Sequence, residues 1–539
     1  MLARALRSSA LRRALVGFLL FRVAEMATWV ALLVWAYGQG GATAAGVIAV
    51  AQLIPATLAA PLGSVLADRM PRRRALALGY LLQALTNLAT AVGLFLAAPF
   101  WVVAALAAAA ASAMTLTRPA HLALLPDIAR DPGELTAGNT ATRMMDGLAD
   151  FGGPALAAGI MALTGPGWVF VAMGAAGFVS LATTRGLHVV QRVAPDESGP
   201  YWSDALEGAR VVLRDPAAGI LTVMATGQFV VFGLLDILAV VLALELLQTG
   251  PAGPGLVTSA LGIGALVGAA AAISLIGRRR LAPALGIGIL VTGVPIALVA
   301  GVDSFVLAVV LFGVSGAGLA YFDVAAHTLL QRNVPSKVLA RVFGVQEALM
   351  MAGTALGSAA VPVLIVVFGI EGAFIATGVL LPLVGLVGWV RIRRLDDTAE
   401  IPTVQLELLQ GIEMFAALDG PRIEAVAAAL TRLPPAQPGT EIITQGAVGD
   451  RYYVVIDGLV EVVRDGGSVA TRGPGYGFGE IALLRGVPRT ATVRAVQETE
   501  LFALERDDFL LAVTGSATSL QVAQDHITAM LEENPPPAP

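Results

Sequence analysis

The 539-residue chain is 56% hydrophobic and 14% charged, whereas a soluble domain carries about 25% charged residues, which excludes an ordinary soluble enzyme as a reading of the whole length. A net charge of -5 offers no electrostatic footprint for nucleic acid. The absence of cysteine excludes disulfide and thiolate chemistry, and 4 histidines argue against a histidine-rich metal site. Glycine is abundant, at 60 residues, as expected where membrane helices cross closely.

Arg4, Arg7, Arg12 and Arg13 precede an apolar stretch that runs on to Tyr37. It is too long for a signal-peptide core and no small-residue cleavage site closes it, so it reads as a first span. Each following apolar segment is long enough for the roughly 20 helical residues that hydrocarbon requires. The expected spans lie at about 14–37, 44–66, 75–97, 101–121, 139–163 and 167–187, then at about 217–244, 254–277, 281–301, 304–327, 340–367 and 371–390. That makes about twelve, in two groups of six, divided by the polar stretch Gln191–Asp215. RPAHLALLP around His121 echoes DVAAHTLLQRNVP around His327, each at the end of the fourth span of its half, which suits two related halves.

Arginine and lysine recur at Arg69, Arg72–Arg74, Arg185, Arg192, Arg278–Arg280, Arg332, Lys337, Arg391, Arg393 and Arg394. The alternate loops Gly38–Thr43, Thr164–Gly167 and Gly301–Asp303 carry none. The positive-inside bias puts both ends in the cytoplasm, in a multi-pass protein of the bacterial cytoplasmic membrane.

From Asp396 charged residues become frequent and short alternating segments begin. TEIITQG, DRYYVVIDG, LVEVVRDG, SVATRG, TATVRAVQ and ETELFALE read as strands, with Gly446, Gly458, Gly466 and Gly467 at turns. Strands on this spacing predict a small β-roll, with helical segments at about 403–432 and 507–532. The expected organisation is 1–190 and 217–394 as six-helix bundles, 191–216 as a central cytoplasmic loop, 395–402 as a linker, 403–532 as a ligand-binding domain and 533–539 as a disordered tail. The fold class is therefore an all-α polytopic membrane domain followed by a cytoplasmic β-roll with flanking helices.

The segment GYGFGEIALLRGVPRTATV, residues 475–493, has the makings of an anion pocket. Gly477 and Gly479 permit a tight turn, and Glu480–Leu484 can open a short helix whose free N–H groups face a phosphate. Arg489 can add a charge-assisted contact. Glu480 repels a phosphate but can accept from a sugar hydroxyl of the same ligand, and Thr490 adds a hydroxyl near a base. Taken alone, the Glu–Arg pair could equally be a surface pair beside an ordinary strand-to-helix turn.

This segment resembles the phosphate-binding cassette of the cyclic nucleotide-binding domain family, and the resemblance extends over about residues 403–532. It implies that Glu480 holds the ribose 2′-hydroxyl and Arg489 the cyclic phosphate. Gly479, Ile481 and Ala482 then line the phosphate, and Thr490 and Ala491 follow the arginine. The implied regulatory ligand is cAMP, with cGMP possible because of Thr490. No helix-turn-helix follows, which speaks against a DNA-binding regulator.

PLGSVLADRMPRRR, residues 61–74, places Asp68 among Arg69, Arg72 and Arg73, where an acid among bases can lock neighbouring helix ends. It resembles the loop motif of the major facilitator superfamily, with two departures: Ser64 stands at the first glycine position and Pro71 at the second. The segment Ala123–Asp127 resembles the drug- and siderophore-exporting branches. Ionisable residues within spans are costly and often functional. Glu25, Arg143, Asp146, Asp236, Asp323 and His327 are candidates for coupling or gating, with Glu25 and Asp236 and then Asp146 the better coupling candidates and Arg143 and His327 equally gate contacts, although each could be a structural interhelical pair. No Walker motif points to ATP. The reading is a non-enzymatic secondary active transporter, an exporter of small molecules, regulated by a cyclic nucleotide. The alternatives are a non-transporting membrane-anchored cyclic nucleotide receptor or a lipid translocase on the same scaffold.

Overall fold

The computed structural model describes residues 8–129, 132–187, 209–275, 278, 280–334, 336–398, 403–416, 418, 420–514, 519 and 522–523. Two compact units emerge, one made mostly of the residues before Glu400 and one built on those after it.

The first unit is helical. Its elements are α1 (Ser9–Arg69), α2 (Arg72–Phe95), α3 (Phe100–Met114), α4 (Thr117–Ile128), α5 (Pro132–Leu163), α6 (Pro166–Thr183), α7 (Pro216–Val241), α8 (Gly253–Ala271), α9 (Ala282–Val299), α10 (Phe305–Asn333) and α11 (Ser336–Thr398). Proline stands in the first turn of α6, α8 and α9, where its missing N–H costs nothing. Several of these helices are long and apolar enough to cross a membrane. They are apolar nearly all round, as helices facing lipid on one side and protein on the other must be.

The expected gaps between spans are shorter than the sequence suggests. The segments expected at about 14–37 and 44–66 form one helical run that breaks only at Gly40 and Gly41, and α11 breaks likewise at Gly369. Gly41 and Gly369 have φ of 61° and 72°, a left-handed conformation that glycine adopts without a Cβ clash. The span expected at about 101–121 is interrupted at Thr115–Leu116 and continues as α4 to Ile128. Helix α7 ends in a π-helical turn, Leu242–Leu246. The central stretch at 188–208 lies outside the described residues.

Within this unit α1 packs on α3 and α6, and α2 on α6; α7 packs on α11, α8 on α10, and α9 on both α10 and α11. Contacts between the earlier and later helices include those of α1 with α7, α8 and α11, and of α5 with α8. The α5–α8 seam is close because α8 presents glycine. A Cβ at Gly255 would lie 2.6 Å from the Pro154 carbonyl, and one at Gly262 would lie 2.8 Å from that of Asp150.

The second unit opens with three short helices, α12 (Thr403–Gln410), α13 (Glu413–Ala416) and α14 (Gly420–Ala429), where a continuous helical segment was expected. The strands are β1 (Thr431–Arg432), β2 (Glu441–Ile443), β3 (Arg451–Asp457), β4 (Val460–Arg464), β5 (Gly467–Arg472), β6 (Gly477–Phe478), β7 (Thr492–Ala495) and β8 (Glu500–Glu505). Helix α15 (Glu480–Arg485) lies between β6 and β7, and α16 (Arg506–Thr514) follows β8. Most of the helical segment expected beyond Thr514 lies outside the described residues. Two antiparallel four-stranded sheets result, in the orders β1-β8-β3-β6 and β2-β7-β4-β5. The two-residue strands β1 and β6 are too short to show alternation and were not anticipated.

The period-2 pattern of β3 and β8 divides the core in two. Tyr452, Val454, Phe502 and Leu504 join Phe415 and Phe509 in a cluster that includes the flanking helices. Tyr453, Val455, Leu501 and Ala503 face the other way, clustering with Val460, Phe478 and Val493. Gly458 turns β3 into β4 with φ of 100°, and a Cβ there would lie 2.6 Å from the Glu498 carbonyl.

Candidate functional site

Strand β6 delivers the chain to Gly479, whose φ of 101° lies in the left-handed region, and α15 begins at the next residue. The first-turn amides of α15 have no side-chain cap. Ile481, Ala482 and Ala491 are buried, and Thr490 is half-buried.

Arg489 is 3% exposed. Its Nη1 donates to the Gly479 carbonyl at 3.1 Å and its Nη2 to the Arg451 carbonyl at 2.7 Å. Nη2 also lies 3.4 Å from Asp450 Oδ1, and the guanidinium carbon sits 5.9 Å from the Tyr453 ring centroid. The backbone of Arg489 exchanges two hydrogen bonds with the 446–447 segment, Gly446 N–H to Arg489 O and Arg489 N–H to Ala447 O, both 2.8 Å. The guanidinium is thus anchored on one edge, in a fixed orientation.

Glu480 is 2% exposed, and its Oε2 has no hydrogen-bond partner among the described residues. Burial pushes its carboxyl up to about 7, against the opposing pull of its own and the Gly479 backbone amides and of Arg489. A buried acceptor with an open lone pair costs about 1–3 kcal/mol, and a hydroxyl donor would relieve it.

The sequence pattern did not single out Gly449, Asp450 or Arg451, which reach Arg489 from the start of β3. A Cβ at Gly449 would lie 2.8 Å from that of Ala482. Nor did it single out Tyr452, which is buried and stacks on Phe509 of α16 at 4.8 Å between centroids. Phe415 of α13 meets both rings edge-on.

In the helical unit, Arg22 of α1 gathers three carboxylates. It bonds Glu25 on its own helix and Asp150 of α5 at 3.1 Å, and its Nε lies 2.9 Å from Asp146 Oδ1 without hydrogen-bond alignment. Arg118 of α4 reaches Asp146 at 3.3 Å. Glu25 and Asp146 therefore share a site, whereas Arg143 is exposed and has no partner among the described residues. Asp236 lies on α7 and accepts from Trp29 of α1 at 3.2 Å. On α10, Asp323 and His327 bond each other at 3.3 Å, and His327 stacks on Phe343. Its sequence mate His121 differs: it is fully buried, stacked on Phe18 and within 3.1 Å of the Thr142 hydroxyl.

Arg72 donates to Asp127 at 2.8 Å and to the Ala123 carbonyl at 2.9 Å, fastening α2 to α4, and Arg73 is exposed. The side chains of Asp68 and Arg69 lie outside the described residues.

Comparison with known proteins places these features. Residues 435–514 match the cyclic nucleotide-binding domain, and residues 14–281 and 242–412 match the Major Facilitator Superfamily. A cAMP-dependent protein kinase regulatory subunit from Yarrowia lipolytica is 49% identical over 71 residues, 13% of this chain and 19% of that protein. The chain thus spans about a fifth of that relative's length. The regulatory domain of Toxoplasma gondii PKA, solved with cAMP, is 24% identical over 27% of this chain and 56% of that one, with a TM-score of 0.23. A variant of the nucleoside transporter NupG shares the fold over 71% of this chain and 99% of its own, at 12% identity and a TM-score of 0.58. The chain is a multi-pass membrane protein that belongs to the major facilitator superfamily and carries a C-terminal cyclic nucleotide-binding domain, two families without catalytic function.

Proposed function

We propose that the chain is a secondary active transporter of small molecules, in the exporting direction, whose membrane part is regulated by cAMP bound in the C-terminal domain. The observation that carries the regulatory half is the convergence of Glu480 and Arg489. One offers a buried acceptor without a partner among the described residues, and the other a buried guanidinium fork beside the uncapped start of α15. Glu480 would take the ribose 2′-hydroxyl and Arg489 the cyclic phosphate, with Gly479, Ile481 and Ala482 lining it and Thr490 and Ala491 beside the base. The name of the Yarrowia lipolytica relative favours cAMP over cGMP.

The transport half rests on the family and on the charged groups within the spans. About twelve spans in two six-helix halves, with both termini in the cytoplasm, would move by alternating access. Helix α15 packs against α16, and Tyr452 of β3 stacks on Phe509 of α16, so nucleotide binding at the start of α15 is expected to shift α16. Regulation then requires different nucleotide affinity in the two transporter states.

Calorimetry of the full-length protein in nanodiscs with cAMP and with cGMP tests the reading. Heat with cAMP and a weaker response to cGMP support it, whereas no heat with either overturns it.

The elevated Glu480 carboxyl gives the binding a pH signature. Its folded-state value near 7 exceeds the ordinary 4.5. Its contribution to stability is therefore present below about 4.5 and lost as pH rises through about 7. A ribose hydroxyl donating to the carboxylate favours the ionised form. Nucleotide affinity should then rise up to about tenfold per pH unit on the acid side of 7 and level off above it. Glu480→Gln should flatten that profile. Affinity that falls with rising pH over the same window would show the carboxyl binding as the neutral acid.

A further inference from the structure

The Arg489 guanidinium is held along one edge by two hydrogen bonds, from Nη1 to the Gly479 carbonyl and from Nη2 to the Arg451 carbonyl. Two such bonds set the position of the group and leave it free to swing about the line that joins the two carbonyls. A body packed against it removes that freedom. The guanidinium carbon stands over the Tyr453 ring, 5.9 Å from its centre, and both side chains are buried.

Tyr453 is fixed in turn by the sheet. It lies on β3 opposite Phe478 of β6 in the antiparallel register, and the two rings stack at 5.3 Å between centroids, 15° from parallel. Phe478 continues the column to Tyr476 at 6.3 Å, and the Arg472 guanidinium carbon stands 5.5 Å from the centre of that ring. Three rings thus join the buried Arg489 to the exposed Arg472 at the end of β5. Rings at these separations attract through their quadrupoles as well as by burial. Strand β6 has only two residues, so its backbone pairing is short and the ring stack adds to its hold on β3. Phe478 also adjoins Gly479, whose carbonyl takes one of the Arg489 bonds. One strand pair therefore brings both the ring and a carbonyl to the same guanidinium.

We propose that Tyr453 is a positioning residue for nucleotide binding. Its ring holds the Arg489 guanidinium in the orientation that receives the cyclic phosphate, and does not itself touch the nucleotide. The inference rests on reading residues 475–493 as the nucleotide pocket. A cation over an aromatic face is drawn to the negative face of the ring, most strongly where both are out of water. That attraction survives phosphate binding, because a phosphate takes N–H groups of the guanidinium and the ring takes none. The group is ordered before the ligand arrives, so less side-chain freedom is lost on binding.

Calorimetry with cAMP on the full-length protein in nanodiscs, beside unfolding midpoints without nucleotide, tests this role. Tyr453→Leu keeps apolar bulk, removes the aromatic face and should weaken binding by about threefold to thirtyfold. Tyr453→Phe restores the ring and should recover most of that loss. A general packing defect would lower affinity by the same factor whatever stands at position 489, whereas a positioning role acts through the guanidinium. In an Arg489→Lys background, whose ammonium has no planar fork to orient, Tyr453→Leu should cost markedly less than in the wild type. Equal factors in the two backgrounds overturn the proposal, as does a phenylalanine variant that binds as weakly as the leucine one. If the leucine protein does not fold, Tyr453→Met takes its place with the same outcomes expected. Failure of both to fold, with Tyr453→Phe folding normally, assigns the ring to the core and overturns the positioning role. No heat with cAMP in the wild type is a separate result, which overturns the pocket itself.

Discussion

Arg489→Ala is expected to lower affinity for cAMP by about thirtyfold to several thousandfold, the equivalent of 2–5 kcal/mol. The range follows from what the guanidinium does. In the proposed pocket it is the buried cation among the described residues, and a cyclic phosphate left facing no cation would be desolvated without compensation. Two carbonyls, Gly479 O and Arg451 O, also depend on it, so the variant loses some stability even without nucleotide. Arg489→Lys separates the two effects, because lysine keeps the charge and loses the planar fork. The lysine variant should bind between wild type and alanine, with a thermal unfolding midpoint closer to wild type. Calorimetry alongside unfolding reads both, and an alanine variant that is folded and binds normally would remove Arg489 from the pocket.

The second large effect is expected in the membrane. Arg22→Gln leaves Glu25, Asp146 and Asp150 near one another with Arg118 the one remaining cation paired into the group among the described residues. Removing one partner from a buried ionic group costs about 3–5 kcal/mol, a large share of the stability of a typical domain. The variant should unfold at a markedly lower temperature in detergent, and adding Asp150→Asn should recover part of the loss, because it removes a charge that Arg22 no longer answers. If unfolding is unchanged in Arg22→Gln, the network carries no structural weight and its charges serve another purpose. The double variant is informative because the residues share partners, so their effects are not expected to add.

The legible parts of this protein share one property: their chemistry is contiguous along the chain. Bilayer thickness sets a minimum apolar length, so membrane helices announce themselves residue by residue. The cassette could be read because Gly479, Glu480 and Arg489 fall within one short segment, inside the region that matches the cyclic nucleotide-binding domain. Alternation in β3 and β8 announced strands for the same local reason. The helix boundaries were less legible. The break at Gly40–Gly41 falls within the loop expected at Gly38–Thr43 but takes only two residues, a length that composition does not fix.

What required the tertiary structure was partnership across the chain. Asp450 and Arg451 precede Arg489 by a distance that the backbone bonds between Arg489 and the 446–447 segment and the β3–β6 pairing close together, and Tyr452 meets Phe509 because α16 folds back on the first sheet. Arg72 had been read with Asp68 beside it, yet its described carboxylate partner is Asp127 on another helix. The two histidines looked equivalent in their repeated contexts, yet one is sealed among aromatic and hydroxyl groups and the other pairs with Asp323. Composition and local pattern determined that this is a membrane chain with a cyclic nucleotide-binding domain, because hydrocarbon length and a contiguous cassette are local requirements. Only the packed structure decided which charges are answered and which stand alone, because a partner's distance depends on how helices and strands pack and not on their separation in sequence.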